Sequence, residues 1–321
     1  MGEQPSLHVP ARDLPVPRHL SEPAQAFLGA PRPAETSPYP SLDDAEAWRE
    51  QIAERDQMIL QMMRARMPDL PHTLTELREG EALAYEIVPE GVPPGDRRIY
   101  LDIHGGALIY GGGEVCKAMA MGSAFRHMVR VVTVDYRVAP DHPHPAALDD
   151  CIAFYRALLR DHAPSEIIVG GGSAGANLAA ALMLRARDEG LPLPAALVLI
   201  SPEADLTESG DSFNTNAVID GMGSLMPINL LYANGAPLDH PYLSPLFGDF
   251  TKGYPPTLIT AGTRDLFLSN AARLHRALRN ADIPAELHIQ EGAVHGAFGG
   301  APEDAEIERE LRLFCEKWWG G

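Results

Sequence analysis

The sequence predicts an α/β fold: a mostly parallel central sheet flanked by helices on both faces, with a helical cap. Three observations predict it. Strand-like and helix-like segments alternate from about residue 76 to the end of the chain, the order that covers both faces of a parallel sheet. The strand-like segments are short apolar runs such as 129–135 and 195–201, the pattern of buried strands. One such run leads straight through Gly171-Gly172-Ser173-Ala174-Gly175 into an Ala-rich helix.

Taken in order, residues 1–40 are Pro-rich and read as an extended arm with a short helix at 22–28. Ser41 with Asp43 and Asp44 marks a helix start, where acidic residues complement the positive end of the dipole. That helix is expected over 45–67, with Pro68 ending it. Strands are expected at 83–88, 97–104, 129–135, 166–171, 195–201, 257–261 and Ala285–Gln290, and helices at 146–159, 174–187, 269–280 and 302–319. Residues 203–253 interrupt the alternation with Gly, Pro and Asn, and an insertion of that length reads as a lid or cap. The expected organisation is an N-terminal cap region at 1–75, a catalytic core at 76–202 and 254–321, and a cap insertion at 203–253.

Composition narrows the partners. The 26 Lys and Arg stand against 44 Asp and Glu, a net charge of −18, which argues against nucleic acid or an anionic membrane surface. No run of 18 apolar residues spans a membrane, and no apolar signal segment is visible at the N-terminus. A cytoplasmic location is the expectation. Cys116, Cys151 and Cys315 are far apart with no CxxC spacing, so they read as buried inert thiols rather than a disulfide framework or zinc site. His142 and His144 lie in a Pro-rich loop and are not read as a metal pair. No metal and no cofactor are expected.

The chemistry is carried by three positions in chain order. In Gly171–Gly175, a strand-to-helix turn places Ser173 at the carboxyl end of the sheet and at a helix N-terminus, and small flanking residues let the two elements approach. A hydroxyl of high pKa needs a base, and the base an orienting acid. His295 follows the strand Ala285–Gln290 in a small-residue loop, and Asp265 follows the strand at 257–261. The order Ser, Asp, His is that of an α/β-hydrolase. Glu203 and Asp205, after the strand at 195–201, compete for the acid role. Asp265 is preferred for its short loop leading into a helix, and Asp205 is read as bracing the cap. His104-Gly105-Gly106-Ala107 follows another strand, and the N–H groups of Gly105, Gly106 and Ala174 are assigned to an oxyanion hole. His104 itself is read as bracing its loop.

With these residues in view, the chain resembles the hormone-sensitive-lipase-like esterases, the bacterial family IV. The resemblance rests on His104–Ala107, Asp135-Tyr136-Arg137-Val138-Ala139-Pro140, Ala146-Ala147-Leu148-Asp149-Asp150, Gly171–Gly175, Ser201-Pro202, Asp205-Leu206-Thr207, Ser244-Pro245-Leu246, Gly262-Thr263-Arg264-Asp265 and His295-Gly296-Ala297-Phe298. It implies a cofactor-independent carboxylesterase for short acyl chains that uses the residues named, with Arg137 and Asp149 or Asp150 bracing the structure. It also implies a possible homodimer through Ala285–Gln290. Three departures stand out. Ala107 replaces a third glycine, Gly172 stands where Asp or Thr is common, and Glu203 where an aromatic or aliphatic residue is usual. Glu203 is expected to hydrogen-bond near His295 or the leaving-group pocket and to shift the pH optimum. Ala107, Glu203, Phe213, Met222 and Leu225 are candidates for the substrate pocket, with Leu28, Met226, Ile228, Leu230 and Leu231 as further wall residues. The expected substrate is a small carboxylic ester, acyl or aryl. Lactone or amide hydrolysis by the same residues, or a non-catalytic ligand receptor on this fold, are the alternatives.

Overall fold

In a computed structural model, residues 6–30, 38–65 and 70–319 are described. The chain opens with α1 (Glu22–Gly29) and α2 (Ala45–Arg64), each started by a side chain that accepts an orphan amide. Ser21 Oγ accepts from Ala24 N–H at 3.4 Å, and Asp44 Oδ1 from Ala47 N–H at 3.1 Å. The expected stop at Pro68 lies outside the described residues.

Two strands follow, β1 (His72–Glu79) and β2 (Ala82–Pro89), then β3 (Ile99–Ile103), α3 (Glu114–His127), β4 (Arg130–Asp135) and α4 (Ala146–Asp161). The chain continues with β5 (Ile167–Gly172), α5 (Ala174–Asp188) and β6 (Ala196–Ile200). Residues 203–253 carry three short helices, α6 (Ser212–Thr215), α7 (Ala217–Asp220) and α8 (Met226–Ala233), and no strand. The last elements are β7 (Thr257–Gly262), α9 (Leu268–Asn280), β8 (Ala285–Gln290) and α10 (Asp304–Trp319).

The eight strands form one sheet in the order β1-β2-β4-β3-β5-β6-β7-β8. Only β2 runs against its neighbours: β1 and β4 pair with it antiparallel, and every other pairing is parallel. Parallel neighbours need a crossover that covers a sheet face, and the helices supply it. Helices α4, α5 and α9 bury one face with residues such as Phe154, Leu182 and Leu274, while α3 and α10 bury the other with Ala120, Leu311 and Phe314. Central strands are therefore apolar on both faces: in β3, Ile99, Leu101 and Ile103 point to one layer and Tyr100 to the other.

Two elements were not anticipated. Strand β1 is exposed over most of its length, so it has no buried face to impose an apolar alternation. Helix α3 buries Val115, Cys116, Ala120, Ser123, Ala124 and His127, small or polar residues whose spacing gives no apolar stripe. Among the described residues no helix is long and apolar enough to cross a membrane. All three cysteines are buried and free.

Helix α2 and residues 203–253 share a small core of their own. Trp48 of α2 packs in one cluster with Phe213, Leu225 and Ile228, and the same cluster takes in Phe267, Ala107 and Met222. Asp56 of α2 accepts the Gly111 N–H at 2.8 Å, which ties α2 to the loop after β3.

Candidate active site

Strand β5 and helix α5 meet at Ser173, whose backbone is held at φ 57°, ψ −121°. A non-glycine residue at positive φ costs on the order of 1–3 kcal/mol and persists where surrounding structure imposes it. The imposing contacts are steric. A Cβ on Gly175 would sit 2.0 Å from the Ile103 carbonyl oxygen, and one on Gly171 2.5 Å from the same atom. Only glycine at both positions lets strand, turn and helix close up. A Cβ on Gly172 would meet nothing nearer than 3.8 Å, so the side chain usual in the resembling family is missing here without a steric reason.

The Ser173 Oγ lies 3.0 Å from His295 Nε2. On the other side of the ring, His295 Nδ1 is 3.4 Å from Asp265 Oδ1, an ion-pair contact that is not aligned as a hydrogen bond. Asp265 is fully buried. Its Oδ2 accepts from the Ser201 hydroxyl at 2.5 Å and its Oδ1 from the Phe267 N–H at 2.8 Å. Burial pushes the Asp265 pKa up, but His295, Ser201 and Phe267 more than offset it, and the carboxyl stays below its usual range. For His295, burial favours the neutral ring. The Asp265 carboxylate, with Asp220 and Glu203 behind it, overrides that and raises the imidazole above its ordinary 6.5. Phe267 stands edge-on to the imidazole, with centroids 5.0 Å apart.

Asp220, in the insertion, was not found from the sequence. Its Oδ2 accepts the Leu266 N–H at 2.6 Å and the His295 N–H at 3.1 Å. It thereby joins the loop after β7 to the loop after β8. No motif surrounds it, so nothing in the chain signalled a role; only the folded loops bring it there.

The loop after β3 turns at Gly106, φ 131°, where a Cβ would lie 2.2 Å from the Tyr110 carbonyl oxygen. The Gly106 carbonyl accepts from both Ile109 and Tyr110 N–H groups, at 3.0 and 2.7 Å. Gly105 is packed against Ser173: its missing Cβ would be 3.5 Å from Ser173 Cβ. The N–H groups of Gly105, Gly106 and Ala174 donate to no backbone acceptor outside helices and strands among the described residues. His104 is stacked on Tyr136 with ring centroids 4.0 Å apart, and the Tyr136 hydroxyl donates to the His104 carbonyl at 3.0 Å.

The remaining sequence candidates separate by position. Ala107, Phe213, Met222 and Leu225 fall in the one apolar cluster described above, as do Ile228 and Leu231. Leu28 does not: it packs with Ala293, Val294 and Phe298 on the His295 loop. Met226 and Leu230 line a surface groove of about 700 Å³ between residues 38–42 and α8, and none of the groove's lining residues belongs to the Ser173–His295 pair. Asp205 accepts from Thr207, Ser209 and Arg273 and braces the start of the insertion. Arg137 is held by Asp150, and Asp149 by Arg185.

Glu203 is fully buried, and burial pushes its carboxyl up to about 8, against the pull of the His295 charge and with Glu208 adding to the rise. Among the described residues one trio could in principle hold an ion: ligand atoms of His104, Cys116 and Asp135 lie within 4.8 Å of one another. Asp135 already accepts from Gly113 N–H and the Tyr85 hydroxyl, and Cys116 is bonded to Thr133, so the trio reads as packing behind the loop.

Comparison with known proteins bears on the fold and the family. Residues 100–299 match a family described by its alpha/beta hydrolase fold. An esterase of Acinetobacter venetianus is 35% identical over 61% of this chain and 66% of its own length. An acetyl-hydrolase of Streptomyces hygroscopicus is 33% identical over 66% of this chain and 80% of its own. Among solved structures, an esterase superposes with a TM-score of 0.89 at 34% identity, covering 98% of this chain and 99% of that one. An esterase of the bacterial hormone-sensitive lipase family gives 0.81 at 30% identity, over 93% and 99%. The chain thus belongs to the α/β-hydrolase family, among its hormone-sensitive-lipase-like esterases.

Proposed function

We propose that the protein hydrolyses small carboxylic esters through an acyl-enzyme on Ser173. The observation that carries the reading is the 3.0 Å contact between Ser173 Oγ and His295 Nε2, residues 122 apart in the chain, with Asp265 behind the ring. His295 takes the serine proton as Oγ attacks the ester carbonyl, and Asp265 stabilises the imidazolium that forms. The oxyanion is received by the N–H groups of Gly105, Gly106 and Ala174, at the N-terminus of α5 where the dipole favours negative charge. The alcohol leaves with the proton from His295. Water then repeats the sequence on the acyl-enzyme, returning Ser173. The 3.4 Å gap between His295 and Asp265 is of the kind that tightens when substrate binds.

Helix α2 and residues 203–253 together form the cap in this reading, supported by the cluster that Trp48 shares with Phe213 and Leu225; residues 72–75, expected with the cap region, lie in β1 of the sheet. Ala107, Phe213, Met222 and Leu225 supply an apolar wall suited to short acyl or aryl groups. No cofactor enters the cycle. The free, buried cysteines are compatible with the cytoplasmic location proposed.

The test is Ser173→Ala assayed on a short activated ester. Turnover should fall by about a million-fold with folding unchanged. Substantial residual turnover refutes the assignment of the nucleophile.

A further inference from the structure

Strand β6 leads into Ser201-Pro202-Glu203, and Glu203 is fixed against Ser173. Its N–H donates to the Ser173 carbonyl at 3.3 Å, and its own carbonyl accepts from the Asn177 amide at 2.7 Å. Its side chain is fully buried, yet neither carboxyl oxygen has a hydrogen-bond partner. Asn229 of α8 lies beside it, 1% exposed. The Asn229 Nδ2 donates to the Leu206 carbonyl at 3.2 Å, and its Oδ1 is also without a partner.

Three buried acceptor oxygens therefore stand together behind Ser173 without a well-formed hydrogen bond, and the donor beside the carboxyl is the Asn229 amide, one of whose N–H groups is already given to Leu206. Buried acceptors left unsatisfied are destabilising, and native structures keep few of them. A proton on Glu203 turns one of the three oxygens into a donor that can serve a second, and leaves one acceptor. Tyr39, near enough to feel the charge of the same carboxyl, lines the surface groove between residues 38–42 and α8. Around it the cluster of Phe213, Leu225 and Ile228 is apolar.

We propose that Glu203 and Asn229 form a specificity subsite that receives a hydrogen-bond donor, a hydroxyl or an ammonium, carried by the acyl or alcohol part of the ester. The proposal rests on the ester-hydrolase reading and narrows its substrate class. A site built around buried hydrogen-bonding groups rejects analogues that leave them unpaired, whereas an apolar pocket discriminates weakly. Glu203 is a binding residue here and takes no part in bond breaking.

The experiment uses matched aryl esters: propionate, its hydroxyl analogue lactate and its ammonium analogue alaninate. A second pair varies the alcohol, 1-butyl against 4-hydroxybutyl acetate. Specificity constants are corrected for each ester's rate with hydroxide and measured on the wild type, Glu203→Met and Glu203→Gln. At least one donor-bearing ester should exceed its parent by about ten-fold or more in the wild type. That ratio should fall toward one in Glu203→Met and be partly kept in Glu203→Gln, which retains an acceptor. If Glu203→Met does not fold, wild-type selectivity decides alone. Turnover of the plain esters without preference in either series, or an unchanged ratio in Glu203→Met, overturns the subsite and leaves the hydrolase reading standing. Absence of turnover on every ester overturns both.

Discussion

Around the imidazole of His295 stand three carboxyls, of Asp265, Asp220 and Glu203; the first two raise its basicity, and Glu203 does so once it is ionised. A general base must be neutral to act, so kcat/KM should rise with pH through a limb placed above the ordinary histidine value of 6.5. Glu203 behaves differently from the other two. Its folded pKa of about 8, raised by burial from 4.5, means the folded protein holds a proton that the unfolded chain releases. The sign follows: its favourable contribution is whole below pH 4.5 and is lost as pH rises toward 8. Between pH 4.5 and 7 the wild type should lose on the order of 3 kcal/mol relative to Glu203→Gln, measured by denaturant unfolding across that range. Parallel pH profiles for the two proteins would show that Glu203 is not neutral in the fold. Above pH 8 the ionised carboxylate opposes the developing oxyanion, so the alkaline decline in rate should flatten in the same variant.

At the scale of elements, the site depends on loops at the carboxyl ends of β3, β5, β6, β7 and β8 being held in one arrangement. Asp220 holds two of them. Asp220→Ala leaves the Leu266 and His295 N–H groups without their shared acceptor, at about 1–3 kcal/mol for each buried group. The expected result is a lower unfolding midpoint together with a fall in kcat, since the base is no longer positioned. Unchanged kcat in a destabilised variant would restrict Asp220 to a structural role.

Legibility in the sequence follows the same division. Strands β3 to β7 were readable because burial on both faces demands continuous apolar runs, and their ends shifted by only a residue or two. Strand β1 and helix α3 were not, since an exposed strand and a helix packed through Cys, Ala and Ser leave no periodic mark. Ser173, Asp265 and His295 were legible because each follows a strand in the order the fold requires. Asp220 was not, because its relation to His295 exists only after residues 203–253 fold back over the loops. Leu28 looked like a pocket residue by composition alone, and packing places it with Ala293 and Val294 instead.

For the whole molecule, the sheet has two edges, β1 and β8, and an unpaired edge is a template for another strand. Strand β8 is half-buried along most of its length and presents Ile289 at 40% exposure. A homodimer through β8 is the assembly proposed. Light scattering should give twice the chain mass for the wild type and one chain mass for Ile289→Lys; a monomeric wild type ends that proposal. The acidic balance of −18 keeps such particles apart at low salt, so dimerisation should strengthen as ionic strength rises.

Covalent capture tests the central claim most directly. The protein is incubated with an aryl phosphonate, and intact mass and peptide mapping are followed alongside residual esterase activity. The account predicts one adduct per chain, located on Ser173, formed in step with loss of activity and greatly slowed in His295→Ala. An adduct on another residue that tracks the loss of activity, or full activity with Ser173 modified, would contradict it.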